Sequence, residues 1–201
     1  MRKRNRSYKK GAPHRDARLF VIVAEGDRED KYFNHFDQRT SRIRVLTIPR
    51  EQDASAPKHF IGRLENAKVT GEYDPEDEDE VWFVCDTDRW GSQINDLKLN
   101  CSQKSNWNLA VSNPCFEVWL HFHSGPIVSD LLANCGELKT QLPGRSLGGF
   151  NKDVYCLHIE TAITHAANAD QDPNSDFPGS MQTKVYKLAK RMCEVLGSNW
   201  R

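Results

Sequence analysis

Two short acidic elements carry the residue types and spacing that could do chemistry. One is Glu25-Gly26, with Glu29 four residues later. The other is Asp86-Thr87-Asp88. Carboxylates gathered in one place repel each other and call for a counter-charge. A hard, oxygen-preferring divalent cation supplies it. Mg²⁺ is the usual one, and Mn²⁺ also suits an all-oxygen set. Zinc is not indicated, because the six cysteines (85, 101, 115, 135, 156 and 193) contain no C-x-x-C pair. Each element alone has an ordinary explanation. A Glu-Gly after a strand is a tight turn with an acid at a helix entry, and a single D-x-D is a charged loop. Their weight comes from where the chain places them.

The placement follows from the surrounding hydrophobic pattern. Leu19-Phe20-Val21-Ile22-Val23-Ala24 and Val81-Trp82-Phe83-Val84-Cys85 are uninterrupted apolar runs of strand length. Such runs are typical of strands covered on both faces. Tyr32, Phe33 and Phe36 recur at helical spacing after the first run. Ile43 to Ile48 reads as a second strand stopped by Pro49. Phe60, Ile61, Leu64 and Ala67 mark a second helix, and Ile94, Leu97 and Cys101 a third. Asn108 to Ser112 is a short fourth strand. Asn113-Pro114 then opens a helix through His121, with proline at its first position. Strands alternating with helices predict a three-layer, mostly parallel α/β sheet with right-handed crossovers. Active sites of such sheets lie outside the carboxyl ends of the strands. Glu25 and Asp86-Asp88 stand at two of those ends. If the extended backbone continues to residue 88, Asp86 and Asp88 point to the same side.

The rest of the chain is less specific. Residues 72–80 are almost all acidic and read as a solvated loop. The C-terminal third predicts helices near 129–135, 153–168 and 180–196, separated by Gly/Pro-rich stretches at 143–149 and 173–179. The expected organisation is a disordered arm over 1–17, an α/β core over 18–125 and a mostly helical part over 126–201 packed on that core. The cysteines read as reduced thiols, several of them small buried hydrophobes. No run of 18 apolar residues spans a membrane, and no apolar segment follows the basic N-terminus as in a secretory signal. A cytoplasmic protein with no membrane partner is expected.

The formal net charge of zero hides a polarity. Up to Arg18 there are eight Lys/Arg and one acid, which leaves 20 bases and 27 acids in the remainder. A basic arm on an acidic body suits a polyanion, with Arg2, Lys3, Arg4, Arg6, Lys9 and Lys10 on nucleic-acid phosphates. It suits a solvated tail equally well. Arg89, next to the D-x-D element, either binds phosphate beside the metal or pairs with the acidic loop. Glu117 is a fifth carboxylate of the site, a substrate contact or a partner of its own helix dipole. His121 falls one turn later on the same face. It reads as a core residue, as does His123. Trp82 and Trp119 read as core rather than as base-stacking platforms.

Taken together, these pieces resemble a known family. A strand leading to E-G, then a strand ending D-x-D, resembles the Toprim domain of topoisomerases, primases and overcoming-lysogenization-defect nucleases. The closer resemblance is to RloB-like proteins. It is carried by Ala24-Glu25-Gly26, Tyr32-Phe33, Val84-Cys85-Asp86-Thr87-Asp88 and, most specifically, Ser112-Asn113-Pro114-Cys115-Phe116-Glu117-Val118-Trp119-Leu120. Gln182-Thr183-Lys184-Val185-Tyr186 matches the family's ending, so the resemblance covers residues 18–196. The turn from Glu25 to Tyr32 is one residue shorter than the family pattern, so either Glu29 or Asp30 holds the second acidic position. The resemblance implies a Toprim/Rossmann-like fold with a helical C-terminal extension. It also implies a divalent metal, Mg²⁺ or Mn²⁺. Glu25, Glu29, Asp86 and Asp88 are the expected metal ligands, and Glu25, Asp86, Asp88 and Glu117 the expected catalytic residues. The implied activity is that of a nuclease on DNA or RNA in bacterial defence against phage, working beside a large ATPase partner. The competing expectation is a catalytically silent module that binds nucleic acid or a partner protein.

Overall fold

The structure is a computed structural model that describes residues 17–50, 55–88, 90–127, 134–145 and 151–197. Its centre is a five-stranded sheet in the order β2-β1-β3-β4-β5. The strands are β1 (Arg18–Ala24), β2 (Ile43–Thr47), β3 (Glu80–Asp86), β4 (Trp107–Asn113) and β5 (Gln182–Thr183). The first four are parallel, and β5 is antiparallel to β4. The three-layer, mostly parallel α/β fold is therefore present.

Alternation along the strands builds a core on each face. Phe20, Ile22 and Ala24 of β1 point into one cluster, while Leu19, Val21 and Val23 point into the other. The second cluster is closed by α2 (Phe60–Val69) through Phe60 and Leu64, and by α3 (Gly91–Cys101) through Ile94 and Leu97. The first is closed by α1 (Asp27–Asn34), α4 (Glu117–Phe122), α5 (Cys135–Arg145), α7 (Ile159–Ala169) and α8 (Val185–Leu196). Side chains such as Phe20, Phe83 and Trp119 are fully buried. Truncating one to alanine removes about 3–5 kcal/mol of stability. No helix among the described residues is long and apolar enough to cross a membrane.

Four expectations are corrected. The acidic stretch 72–80 is exposed at Glu72, Asp74, Asp77 and Glu78 as a solvated loop would be, but not throughout, and Glu80 already belongs to β3. Tyr73 is buried in the core, and buried Asp79 accepts the Glu76 N–H at 2.9 Å while its carbonyl accepts the Asn106 amide at 2.9 Å. Pro114 does not open α4, which begins three residues later at Glu117. The reason is that β4 runs on to Asn113, through a cis Asn113–Pro114 peptide, and the Pro114 carbonyl serves the N–H of Asp88.

The expected helix at 129–135 lies largely outside the described residues. The helix seen in this region is α5, which carries Pro143 near its end. A proline so placed removes one helical bond. Residues 180–184 are not helical, because Gln182 and Thr183 pair with β4 first and the Thr183 hydroxyl accepts the Val185 N–H where α8 starts. The expected 153–168 helix is broken into α6 (Lys152–Tyr155), a 3₁₀ turn at Cys156–His158 and α7.

Candidate metal centre

Parallel register sets the site. Ala24 pairs with Val84, so Glu25 leaves β1 one step beyond the pairing and beside the start of Asp86. The Asp86 N–H donates to Glu25 Oε2 at 3.3 Å. The strand ends at Asp86: Thr87 is a bend and Asp88 a turn, so the extended backbone expected through residue 88 stops two residues short. Thr87 N–H bonds to the Ser112 carbonyl at 3.0 Å, and Asp88 N–H to that of Pro114 at 3.2 Å. These bonds, rather than strand alternation, keep Asp88 beside Asp86. Glu25, Asp86 and Asp88 each offer an oxygen, and the three lie within 4.8 Å of one another.

Around this triad is a cleft of about 430 Å³. Its walls also include Glu29, Glu117, Asp27, Arg28, Arg50 and Lys139. Glu29 is buried. Burial, with the charges of Glu117, Glu25 and Asp30, pushes its carboxyl up to about 7 against its own backbone hydrogen bond. It lines the cleft but stands outside the 4.8 Å group. Asp30, the alternative second acid, does not line the cleft. Burial pushes its carboxyl up to about 6, with Arg63 and Arg50 pulling down. Gly26 has a local role here. A Cβ at this position would stand 2.5 Å from Glu29 Oε2, so glycine leaves room for the Glu29 carboxylate to fold back over the turn.

Whether these residues suit a cation can be read from Asp86. Burial, then Glu29, Glu25, Glu117 and Asp88, hold its carboxyl well above the usual carboxylate range. Its Oδ1 is buried and makes no hydrogen bond. A buried acceptor without a donor is destabilising by roughly 1–3 kcal/mol unless something outside the protein's own groups meets it. The donors are all oxygen. The triad is therefore compatible with a divalent metal.

Several contributors were not singled out in the sequence. Arg50 donates to the Glu25 carbonyl at 2.8 Å and pairs with Asp27. It follows Pro49 at the carboxyl end of β2, so the strand-end rule that found Glu25 would also have found it. Arg63 of α2 reaches the carbonyls of Ala24 (2.8 Å), Ile48 and Pro49 (3.2 Å), tying the ends of β1 and β2 together beneath the cleft. Trp90 donates its indole N–H to Glu25 Oε1 at 2.8 Å. Arg28 pairs with Glu117, and Lys139 approaches the same carboxylate at 4.0 Å. Glu117 is thus the first residue of α4, nearly buried and held by cations rather than gathered into the triad.

The two histidines are core groups. His121 Nε2 bonds to the Leu138 carbonyl at 2.9 Å. His123 bonds to the Tyr32 hydroxyl at 2.9 Å and the Trp119 carbonyl at 3.0 Å. Trp82 and Trp119 are buried in the core. Arg2, Lys3, Arg4, Arg6, Lys9, Lys10 and Arg89 lie outside the described residues.

The sequence profile described as RloB-like protein matches residues 20–192. That is most of the chain, and the chain belongs to this family. No curated protein and no solved structure matches it.

Proposed function

We propose, with membership of the RloB-like family as the premise, that this protein hydrolyses phosphodiester bonds of DNA or RNA. It does so with Mg²⁺ or Mn²⁺ held by Glu25, Asp86 and Asp88. The observation that carries this reading is the buried, unbonded Oδ1 of Asp86, set in a cluster of acids at the carboxyl ends of two parallel strands. When bound, such an ion polarises the scissile phosphate and lowers the pKa of a water.

The chain's own groups do the rest. Glu25 is fixed by the Asp86 N–H and the Trp90 indole, and takes or gives a proton at its carboxylate. Arg50, Arg28 and Lys139 line the same cleft and meet the phosphates on either side of the cut. The basic arm with Arg2, Lys3, Arg4, Arg6, Lys9 and Lys10, together with Arg89, adds salt-sensitive grip. The Toprim relationship, the setting in cytoplasmic anti-phage defence and the ATPase partner belong to the same proposal.

The test is a cleavage assay on labelled single-stranded DNA, duplex DNA and RNA with Mg²⁺ or Mn²⁺. Cleavage of at least one polymer is expected. It should stop with a chelator and in Asp86→Asn. Retained nucleic-acid binding with no metal-dependent cleavage would favour the silent binding module instead.

A further inference from the structure

We infer that Trp90 is a positioning residue for the metal centre: its indole N–H fixes the Glu25 carboxylate beside Asp86 and Asp88. This rests on the metal reading above and adds to it a residue that is not itself acidic. The geometry has three parts. The indole Nε1 donates to Glu25 Oε1 at 2.8 Å. The Asp86 N–H donates to Glu25 Oε2 at 3.3 Å, so the two oxygens are held by different donors. The indole is itself held, because its ring packs against the core cluster of α2 and α3, and the Trp90 carbonyl accepts the N–H groups of Gln93 (2.8 Å) and Ile94 (3.2 Å) where α3 begins.

An indole N–H is a donor only, so it favours a carboxylate and accepts nothing from a competing donor. Without it, Glu25 Oε1 loses this bond in a cleft that also holds Glu29, Asp86, Asp88 and Glu117. Groups that orient a metal-ligating side chain typically change affinity by about 10–100-fold when removed. Phenylalanine at this position keeps the ring and deletes only the donor.

The experiment is a calorimetric titration of Mn²⁺ into the wild-type protein, W90F, E25Q and the W90F/E25Q double variant. W90F is expected to weaken binding about tenfold or more in the wild-type background, and about twofold or less once Glu25 has become glutamine. Equal weakening in both backgrounds would mean that Trp90 merely supports the fold, and would overturn the inference. So would equal affinity of W90F and wild type. A wild type that binds no Mn²⁺ sinks the metal reading and this role with it, an outcome distinct from a wild type that binds no better than W90F. A second readout needs no variant. Mg²⁺ added to the wild type should change tryptophan emission with the calorimetric midpoint, and unchanged emission at saturation contradicts the inference.

Discussion

Buried carboxylates occupy two parts of this molecule under opposite conditions. Beneath β5 and α8, Asp170 accepts bonds from Lys184 Nζ at 2.7 and 2.6 Å and from the Tyr186 hydroxyl at 2.7 Å. Lys184 also donates to the Asp172 carbonyl at 2.7 Å. Burial alone would raise the Asp170 carboxyl, yet the bonds from Lys184 and Tyr186 hold it below its usual range. At the ends of β1 and β3 the acids have one another for neighbours, and Glu29 and Asp86 are pushed up instead. The first arrangement is complete as it stands and locks the C-terminal helix to the sheet. The second is an incomplete charge balance at the edge of a folded core, which on the proposed function a divalent cation completes.

The largest effect that would test this contrast is in the complete region. Lys184→Met leaves Asp170 buried and without its counter-charge, and should remove about 3–5 kcal/mol of stability in urea denaturation. A loss below about 1 kcal/mol would show that the pair is not the lock described. Any folded fraction should still bind metal, because the acid cluster is untouched.

Next comes the pH dependence of the incomplete region, measured with a chelator present. The Glu29 carboxyl is raised from 4.5 to about 7, so the folded protein keeps a proton that the unfolded chain has released. Its stabilisation is full below about 4.5 and disappears as pH rises to about 7, a change on the order of 3 kcal/mol. His123 works against this in the same window. Burial lowers it from 6.5 to about 3, so it costs stability as pH falls. The difference between wild type and Glu29→Gln isolates the glutamate. That difference should slope between pH 4.5 and 7, and a flat difference would refute the assigned environment. Asp170 has the opposite sign: its contribution is full above about 3.8 and is lost as pH falls through its lowered value.

Metal linkage is of similar size. Mn²⁺ at a hundred times its dissociation constant should stabilise the wild type by about 2.7 kcal/mol in thermal unfolding, and Asp86→Asn by almost nothing. The smallest effect is at the rim. Lys139→Ala removes an exposed cation 4.0 Å from Glu117 and should change stability by about 0.5 kcal/mol or less.

The part of this contrast legible in the sequence was the part written in local pattern. The apolar runs gave β1 and β3, and their ends gave Glu25, Asp86 and Asp88; strand alternation stops at Asp86, and backbone bonds to Ser112 and Pro114 bring Asp88 into the group instead. What escaped was set by distance along the chain. Trp90 meets Glu25 across 65 residues, Arg28 meets Glu117 across 89 and Arg63 meets Ala24 across 39. No periodicity announces such pairs. Asp79 hid for another reason, since composition marks an acidic stretch as solvated and does not reveal which of its acids caps a turn. The Gln182–Tyr186 block was noticed for its resemblance, but its work was not visible. Nothing local in that block points from Lys184 to Asp170, its buried partner.

The account stands most directly on metal binding by the acid cluster. Calorimetric titration of Mg²⁺ and of Mn²⁺ into the wild-type protein and the Asp86→Ala/Asp88→Ala double variant measures it. Saturable binding to the wild type, absent from a double variant that keeps its circular dichroism spectrum, is the predicted result. Equal binding by both proteins, or none by either at millimolar metal, would contradict it.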